Sequence, residues 1–382
     1  MKKLVIITTI PLTIETMLLE QVKYLSNHYK VILVTSSGLN SALFDSDLNI
    51  DIHTVEMARG IDLFRDFASL FSMIRLLKKI KPNLIHSFTP KAGLISMLAG
   101  FFLRTPVRVH TFTGLVFPTE LGLKKKLLMF MDKIICFSST KIIPEGVGVK
   151  NDLYTFGITK KTLNVIGHGN IAGVDTSFYS RQKVAASSDV TFLVEKIKLP
   201  KDSFVFCFVG RFTEDKGIKE LLEALDGLPS NCYLLLVGEQ DGRCPLNDEY
   251  INKIYKNDRI IDLGWLSDIR PALYLSDVLV LPSYREGFPN TPLQAGAMEL
   301  PCIVTDINGC NEIIIPNYNG FIVPPRNVEK LKVAMLNSMD PERVNSMGIN
   351  ARKSIVEKFE RKTHLKNMHN FYEGELTNEA TV

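Results

Sequence analysis

Residues 278–306 read VLVLPSYREGFPNTPLQAGAMELPCIVTD, and this stretch determines the fold class. The apolar run Val278–Leu281 has the length and β-branched content of a buried strand. A helix is predicted to begin at Asn290 or the next residue, because Pro292 suits the first turn of a helix. A second buried strand, Cys302–Thr305, follows. A strand, a helix and another strand in this order predict the βαβ unit of a parallel sheet.

The same alternation of strands and helices extends along the chain. The other predicted strands of the second half are Ser203–Val209, Tyr233–Val237, Arg259–Asp262 and Phe321–Val323. Those of the first half are Leu4–Thr8, Val31–Thr35, Ile52–Val55, Leu84–Ser87, Arg108–Thr111 and Lys133–Phe137. Helical segments between them are Thr13–Ser26, Leu63–Ile80, Lys91–Leu103 and Gly122–Met131. Each half is therefore predicted to form an α/β domain with a parallel sheet covered on both faces.

The chain of 382 residues has the length of two such domains. We predict a Rossmann-like domain over residues 1–170, a linker with one short helix over 171–202 and a second α/β domain over 203–355. A C-terminal helix over 356–382 is expected to return towards the first domain, with Glu375–Val382 frayed. Ligands of open parallel sheets bind at the carboxyl ends of the strands, so two such domains imply a cleft between them.

The composition indicates a globular protein. Hydrophobic residues make up 46% of the chain and charged residues 23%, which excludes disorder and collagen-like repeats. The longest apolar stretch, Ala92–Leu103, is shorter than the ~20 residues that a membrane-spanning helix needs. The N-terminal run is interpreted as a first strand, since no signal-peptide cleavage site follows it. The six cysteines occur singly and predict reduced, buried thiols in a reducing compartment.

Positive charge is concentrated in the first half. Residues 1–180 carry 21 Lys and Arg against 13 Asp and Glu, whereas the remainder carries 24 against 28. This excess is too diffuse for nucleic acid, and no nucleic-acid-binding motif accompanies it. An anionic membrane surface or a phosphate-bearing substrate suits the first half better.

The segment VGRFTEDKG at residues 209–217 lies between a predicted strand and a predicted helix. Gly210 allows backbone to approach a ligand closely, and Arg211 and Lys216 place two cations at the edge of the sheet. A guanidinium fork and an ammonium group suit a diphosphate. A Walker loop and a G-x-G-x-x-G dinucleotide motif are both absent from the sequence.

The second chemical motif is the loop and helix start that follow Leu281. Glu286 can accept hydrogen bonds from sugar hydroxyls, and the helix start at Asn290 or Thr291 provides an anion site. Gln294, one turn into the helix, could bond a ribose.

Ordinary structural roles are the alternative for both motifs. Lys216 would then be a solvated charge in the first turn of a helix, and Arg211 would pair with Glu214 or Asp215. Glu286 would pair with the adjacent arginine or with a neighbouring lysine.

Together, these segments resemble the retaining GT-B glycosyltransferases of family 4, of the type that builds bacterial capsular and O-antigen repeat units. LPSYREGFPNTPLQAGAMELPCIVTD is similar to the family's donor signature, a Glu followed after seven residues by a second Glu. VGRFTEDKG matches its diphosphate loop, and HGNIAGVDTSFY (168–179) resembles its interdomain segment. LIHSFTPKAGLISMLAG and RVHTFTG resemble the first domain of capsule and O-antigen members. The resemblance implies two Rossmann-like domains facing each other across a cleft.

The resemblance also implies roles for individual residues. Glu286 and His110 would be catalytic, His110 lying in the loop after a first-domain strand and reaching across the cleft to the donor sugar. The alternative for His110 is a purely structural role, as a histidine at the end of a strand that is hydrogen-bonded to backbone. The donor would be held by Gly210, Arg211, Lys216, Glu286, Phe288, Asn290, Thr291 and Gln294.

Two positions depart from the family pattern. Gln294 stands where the family usually has Glu, and the loss of a charge-assisted hydrogen bond would weaken nucleotide binding by about 1 kcal/mol. The first βα loop, TTIPLTIE at residues 8–15, lacks the Gly-Gly of many relatives.

We expect metal-independent transfer without a cofactor, because no D-x-D lies in a suitable loop. The resemblance implies retention of anomeric configuration, with the leaving phosphate taking the acceptor's proton. A UDP-hexose or UDP-N-acetylhexosamine is the expected donor.

A polyprenyl-diphosphate-linked saccharide is the expected acceptor. Lys124, Lys125 and Lys126 precede the apolar run Leu127–Met131, a pattern that suits docking on anionic lipid. We therefore expect a cytoplasmic protein bound peripherally to the inner face of the cell membrane. The alternative is an amphipathic helix with a solvated lysine face.

Two other functions stay open at this point. A nucleotide-sugar epimerase or hydrolase of similar fold would bring further groups to the sugar, with His86, His110 and His168 available. A non-catalytic sugar-nucleotide-binding subunit would account for Gln294.

Overall fold

The computed structural model describes residues 1–58, 60, 62–242 and 245–378. The chain divides into two compact units. Unit 1 comprises residues 1–172 and the C-terminal helix from Lys362, and unit 2 comprises residues 173–361.

Unit 1 is built on a six-stranded parallel sheet. Its strands are β1 Lys3–Ile7, β2 Lys30–Thr35, β3 Ile50–Thr54, β4 Leu84–Ser87, β5 Val107–Phe112 and β6 Lys141–Pro144. Its helices are α1 Pro11–Thr13, α2 Leu19–Ser26, α3 Leu63–Ile80, α4 Pro90–Phe102, α5 Gly122–Ser138 and α6 Val147–Thr155, and a π-helical turn, Ile14–Leu18, joins α1 to α2. The strand order 3-2-1-4-5-6 is that of the Rossmann fold.

Unit 2 repeats this topology. Its strands are β7 Phe204–Val209, β8 Cys232–Val237, β9 Ile260–Asp262, β10 Val278–Leu281, β11 Cys302–Thr305 and β12 Gly320–Val323. Its helices are α7 Arg181–Val184, α8 Ser188–Ile197, α9 Ile218–Asp226, α10 Asp248–Lys256, α11 Arg270–Tyr274, α12 Asn290–Ala297, α13 Cys310–Ile313, α14 Val328–Asn337 and α15 Pro341–Phe359. The sheet order β12-β11-β10-β7-β8-β9 is again 3-2-1-4-5-6 when its strands are renumbered from β7.

Both faces of the first sheet are buried, as the continuous apolar strands predict. Val5 and Ile7 of β1 enter one core cluster, whereas Leu4 and Ile6 enter another. Successive side chains of a strand point to opposite faces, so the two clusters lie on opposite sides of the sheet.

The predicted strand Lys133–Phe137 is wrong. These residues belong to α5, and the sixth strand begins later, at Lys141. Asp132, Ile135 and Cys136 are all buried, at the spacing of one face of a helix. A short apolar run fits a strand and a buried helix equally well, and here the helix is the outcome.

The segment expected to be a linker is part of unit 2 from Gly173 onwards. It contains two helices, α7 and α8, where one was expected. Val184, Val190 and Leu193 anchor these helices in the core of the unit.

The C-terminal helix α16, Arg361–Asn378, packs on unit 1. Met368, Tyr372 and Leu376 enter one of its cores. The helix includes residues 375–378, which were expected to be frayed, and the last four residues lie outside those described.

Five cysteines are free and buried: Cys136, Cys207, Cys232, Cys302 and Cys310. Cys244 lies outside the described residues. Within the described part of the chain, no helix is both long and apolar enough to cross a membrane.

A glycine in α4 allows this helix to pack directly on β5. A Cβ atom at Gly93 would lie 2.7 Å from Nδ1 of His110. The His110 ring cannot easily move away, since it is buried and its Nδ1 is hydrogen-bonded to Ser87. Gly93 and His110 therefore constrain each other.

We predict that Gly93→Ala lowers the free energy of unfolding by about 1–3 kcal/mol through overpacking. His110→Ala should relieve the clash, so that the Gly93→Ala cost shrinks in that background. Denaturant unfolding of the four proteins of this double-mutant cycle measures the coupling. Gly374→Ala is the matched control, because open space surrounds the added methyl group. An equal Gly93→Ala cost in both backgrounds would contradict the packing described.

Candidate functional site

The two chemical motifs meet at the carboxyl edge of the second sheet. The loop after β7 carries Arg211 and Lys216, and the loop after β10 carries Glu286. β7 and β10 are neighbours in the sheet, and the chain proceeds from β7 to β8 on the opposite side. This is the point where the strand order reverses, at which open α/β sheets bind their ligands.

An ion pair joins the two loops. Lys216 Nζ lies 2.5 Å from Glu286 Oε1. The two side chains are only 16% and 13% exposed, so solvent screens their attraction little. In a mostly buried pair, either charge left without its partner is costly, which favours keeping both groups compensated.

Close backbone contact fixes the separation of these loops. Gly217 has φ of 69°, and a Cβ atom there would clash with the carbonyl oxygen of Pro282. The Tyr284 backbone N–H donates to the Asp215 carbonyl oxygen at 2.8 Å. Lys216 lies between these two contacts along the loop. Its backbone position is therefore fixed, which places its ammonium group next to Glu286.

Arg211 pairs with a residue that the sequence analysis missed. Its guanidinium lies 2.5 Å from Oδ2 of Asp241, in the loop after β8. The Arg211 side chain is 56% exposed, whereas Asp241 is 9% exposed. The loops are again in backbone contact, since a Cβ atom at Gly238 would clash with the Gly210 carbonyl oxygen. An acidic residue shortly after a buried strand was the available signal for Asp241.

The structure contains part of the alternative described for these motifs. Glu286 pairs with a lysine, Lys216, and not with Arg285, whereas Arg211 pairs with Asp241 and not with Glu214 or Asp215. Arg285 instead lies 3.6 Å from Asp215.

Asp215 is held as a carboxylate. Burial alone would raise its pKa, but the Thr213 hydroxyl at 2.5 Å and the cations Lys216, Arg285 and Arg211 lower it below the ordinary value. Its negative charge therefore helps to hold these cations at the edge of the sheet.

Helix α12 begins at this edge, and its N-cap residue, Pro289, makes no side-chain capping hydrogen bond. The positive end of its dipole therefore lies beside the loops that carry the cations. Phe288, just before the helix, is buried with its ring 5.5 Å from that of Phe359. A Cβ atom at Gly309 would clash with the Gly287 carbonyl oxygen, so a third loop supports the helix start. Asn290 and Thr291 form the first turn, as the sequence predicts.

Gln294 is half-buried on α12, and its side chain lies close enough to Tyr179 to lower the pKa of that hydroxyl slightly. Burial and the nearby Asp268 carboxylate raise the pKa of Tyr179 to about 12, so its hydroxyl stays protonated at neutral pH. Tyr179 ends the segment 168–179, which resembles the family's interdomain segment, and no pattern in the sequence places it near Gln294.

His110 lies within strand β5 and not in the loop after it, which corrects the predicted position. Its side chain is 1% exposed, and Nδ1 lies 2.8 Å from the Ser87 hydroxyl. Burial lowers the pKa of His110 to about 3, so the imidazole is neutral at physiological pH. Its contact with the donor stays a prediction.

His86 is also buried, and both of its ring nitrogens have hydrogen-bond partners. Nδ1 lies 2.6 Å from the Tyr372 hydroxyl and Nε2 lies 2.7 Å from the Thr111 hydroxyl. Burial lowers the pKa of His86 well below its ordinary value. His86 therefore joins the C-terminal helix to the sheet, whereas His168 is exposed in a turn.

In the part of the chain that the structure describes, no three His, Cys, Asp or Glu side chains are grouped so as to hold a metal ion.

Comparison with known proteins identifies both units. The family described as "Glycosyl transferases group 1" matches residues 189–354, and "Glycosyl transferase 4-like" matches residues 9–145. The capsular polysaccharide biosynthesis glycosyltransferase CapM of Staphylococcus aureus is 31% identical over 89% of this chain and 88% of its own length. The UDP-Gal:alpha-D-GlcNAc-diphosphoundecaprenol alpha-1,3-galactosyltransferase of Escherichia coli is 30% identical over 79% of this chain and 78% of its own.

Solved structures support the fold. HepE of Anabaena, in complex with UDP and glucose, has a TM-score of 0.81 at 16% identity and covers 98% of this chain and 100% of its own. A glycosyltransferase of Rickettsia africae has a TM-score of 0.79 at 22% identity, with 99% of each chain covered. The chain has the GT-B fold and belongs to the group 1 glycosyl transferases, with a first unit of the family 4-like type.

Proposed function

We propose that this glycosyltransferase moves a sugar from a nucleotide-diphosphate donor to a lipid-diphosphate-linked saccharide during synthesis of a cell-surface polysaccharide. The observation that carries the proposal is the Lys216–Glu286 ion pair at the point where the strand order of unit 2 reverses. The relatives support the class of reaction. One is named for capsular polysaccharide biosynthesis, and the Escherichia coli enzyme is named for UDP-Gal and a diphosphoundecaprenol acceptor. A Campylobacter jejuni relative, 26% identical, is named for a diphospho-undecaprenol acceptor as well.

The donor's diphosphate would occupy the edge where positive charge collects. Arg211 would offer its guanidinium fork, Lys216 its ammonium group and α12 the positive end of its dipole. Gly210 would let the backbone approach the phosphates. A diphosphate in this position meets both cations while each is already paired with a carboxylate.

Donor binding would therefore exchange partners at the ion pair. Lys216 would turn to the diphosphate, and Glu286 would accept hydrogen bonds from the sugar hydroxyls. Backbone N–H groups of Phe288, Asn290 and Thr291 would complete the site. The Gln294 amide, near Tyr179, would bond the ribose.

The chemical step needs neither a metal nor a protein base under this proposal. The bond between the sugar's anomeric carbon and the β-phosphate oxygen breaks as the acceptor hydroxyl attacks the same face. The acceptor's proton passes to the leaving phosphate, whose developing charge Arg211 and Lys216 stabilise. His110, being neutral, would serve by hydrogen bonding to the donor sugar rather than by taking a proton.

UDP binding should respond in opposite directions to two substitutions. Arg211→Ala should weaken binding about tenfold, because a charge-assisted contact is lost at a partly exposed site. Glu286→Gln should tighten UDP binding about fivefold, roughly 1 kcal/mol, because Lys216 no longer has to leave a carboxylate. Glu286→Gln should nevertheless abolish sugar transfer. Titration calorimetry with UDP and a transfer assay measure the two effects.

Lys332→Ala is the matched control, since it removes an α14 cation whose partner is Glu329. It should leave UDP affinity unchanged. Weaker UDP binding by Glu286→Gln would contradict the partner exchange, and UDP binding without transfer by the wild type would favour the non-catalytic alternative.

The product should retain the donor's anomeric configuration. Proton NMR of the product formed from a UDP-hexose reads the coupling constant of the new anomeric proton, and the same rate is expected with EDTA present. The inverted anomer would overturn the stereochemical proposal, and loss of the rate in EDTA would overturn metal independence.

The start of α5 is the proposed contact with the inner face of the membrane. Leu121 and Leu123 are each 85% exposed beside Lys124, whose ammonium lies 2.8 Å from Glu120 at the surface. Exposed apolar residues next to lysines suit the boundary between headgroups and acyl chains, where each cation contributes about 1 kcal/mol on anionic lipid.

Changing Lys124, Lys125 and Lys126 together to Glu should release the protein from anionic vesicles. Flotation with phosphatidylglycerol vesicles should recover the wild type in the top fraction and leave the variant at the bottom. UDP affinity, which depends on unit 2, should be unchanged. Equal flotation of both proteins would refute the docking surface.

A further inference from the structure

Unit 1 contains an apolar groove that the donor site does not use. It lies between α3, α4 and α5, with a volume of about 380 Å³. Leu94 and Leu98 of α4 are half-exposed within it, and Phe67 of α3 and Phe130 of α5 contribute its outer walls. We propose that this groove binds the isoprenoid chain of the acceptor lipid, an inference that rests on the proposed lipid-linked acceptor.

The chemistry of the lining favours a hydrocarbon chain. Among the described residues that line the groove, Asp66 is the one charged residue, and its Oδ2 lies 2.5 Å from Lys91 Nζ. The Lys91 side chain is only 6% exposed, so the Asp66 charge is compensated by a partner inside the protein. A peptide laid in the groove would bury backbone N–H and C=O groups without partners, which costs free energy. An isoprenoid chain has no such groups.

The direction of the helices places one end of the groove at the carboxyl edge of the sheet. α3, α4 and α5 each precede a strand of a parallel sheet, so all three begin at its carboxyl edge. The groove is lined by the first half of α3, from Leu63 to Leu70, and begins in the second turn of α4 and of α5. A chain that entered from the carboxyl edge would therefore follow the helices away from it.

Charge at the helix starts complements the head of such a lipid. Arg65 in the first turn of α3 is 77% exposed and lies 3.4 Å from Asp62, and Lys124 in the first turn of α5 is 62% exposed and lies 2.8 Å from Glu120, so the net positive charge is at the start of α5. Lys125 and Lys126 follow Lys124 in the same turn. A diphosphate near these cations with its single chain in the groove satisfies both features. A bilayer phospholipid has two chains and would leave one of them outside a single groove.

The test uses the full chain with farnesyl diphosphate, a soluble isoprenoid diphosphate, in titration calorimetry. Farnesyl diphosphate should bind more tightly than geranyl diphosphate, and both more tightly than inorganic diphosphate. Each added isoprene unit should tighten binding by about tenfold or more, because buried methylene groups drive the association.

Leu98→Trp should fill the groove and weaken farnesyl diphosphate binding about tenfold or more while inorganic diphosphate binding is unchanged. Phe130→Ala, at a side chain that is 60% exposed, removes one wall of the groove with little risk to folding and should also weaken farnesyl diphosphate binding. Leu336→Trp, on α14 of unit 2, is the matched control and should bind as the wild type does.

Equal affinity for farnesyl and inorganic diphosphate would overturn the proposal, as would unchanged affinity in both groove variants. Binding to phosphatidylglycerol vesicles without binding to farnesyl diphosphate would also overturn it, because the lysines at the start of α5 alone would account for the vesicle binding. UDP titration of the wild type distinguishes failure of the groove proposal from failure of the proposed donor site. Absence of UDP binding would count against the donor site of unit 2. UDP binding without farnesyl diphosphate binding would count against the groove alone.

Discussion

The ion pair between Lys216 and Glu286 is the interaction on which the proposed donor site depends. It joins the loops of two neighbouring strands whose connections leave in opposite directions. Without a ligand, two opposite charges brought this close and largely removed from water must satisfy each other. The same two groups are complementary to the two halves of a nucleotide sugar, a cation for the diphosphate and a carboxylate for the hydroxyls. Under the proposed function, the ion pair keeps these groups compensated until the donor replaces both partners.

Glycine contacts make this arrangement rigid. Gly217, Gly238 and Gly309 each have positive φ, and each lies where a Cβ atom would clash with a carbonyl oxygen of a neighbouring loop. Loops in backbone contact leave little freedom for the side chains that they carry. The backbone positions of Arg211 and Lys216 are thus set by the sheet and its turns, which would preorganise the proposed diphosphate site.

Periodicity and turn chemistry predicted most of the fold, because both act over short distances along the chain. The buried strands, the start of α12 at Asn290 and the two-domain organisation follow from such local patterns. The error at Lys133–Phe137 arose where a short apolar run had no local feature to separate a strand from a buried helix. The partners of the charged residues could not be predicted in this way. Asp241 is thirty residues from Arg211 in sequence, and Tyr179 is still farther from Gln294, so only the folded sheet brings these pairs together. His110 was predicted by resemblance, and its burial against Gly93 became visible only in three dimensions.

A crystal structure of the enzyme with a bound UDP-sugar would show whether the donor separates Lys216 from Glu286. We expect the distance between Lys216 Nζ and Glu286 Oε1 to grow from 2.5 Å to beyond contact, with Lys216 on a phosphate oxygen and Glu286 on a sugar hydroxyl. An intact ion pair, with the diphosphate bound away from Lys216, would rule out the partner exchange.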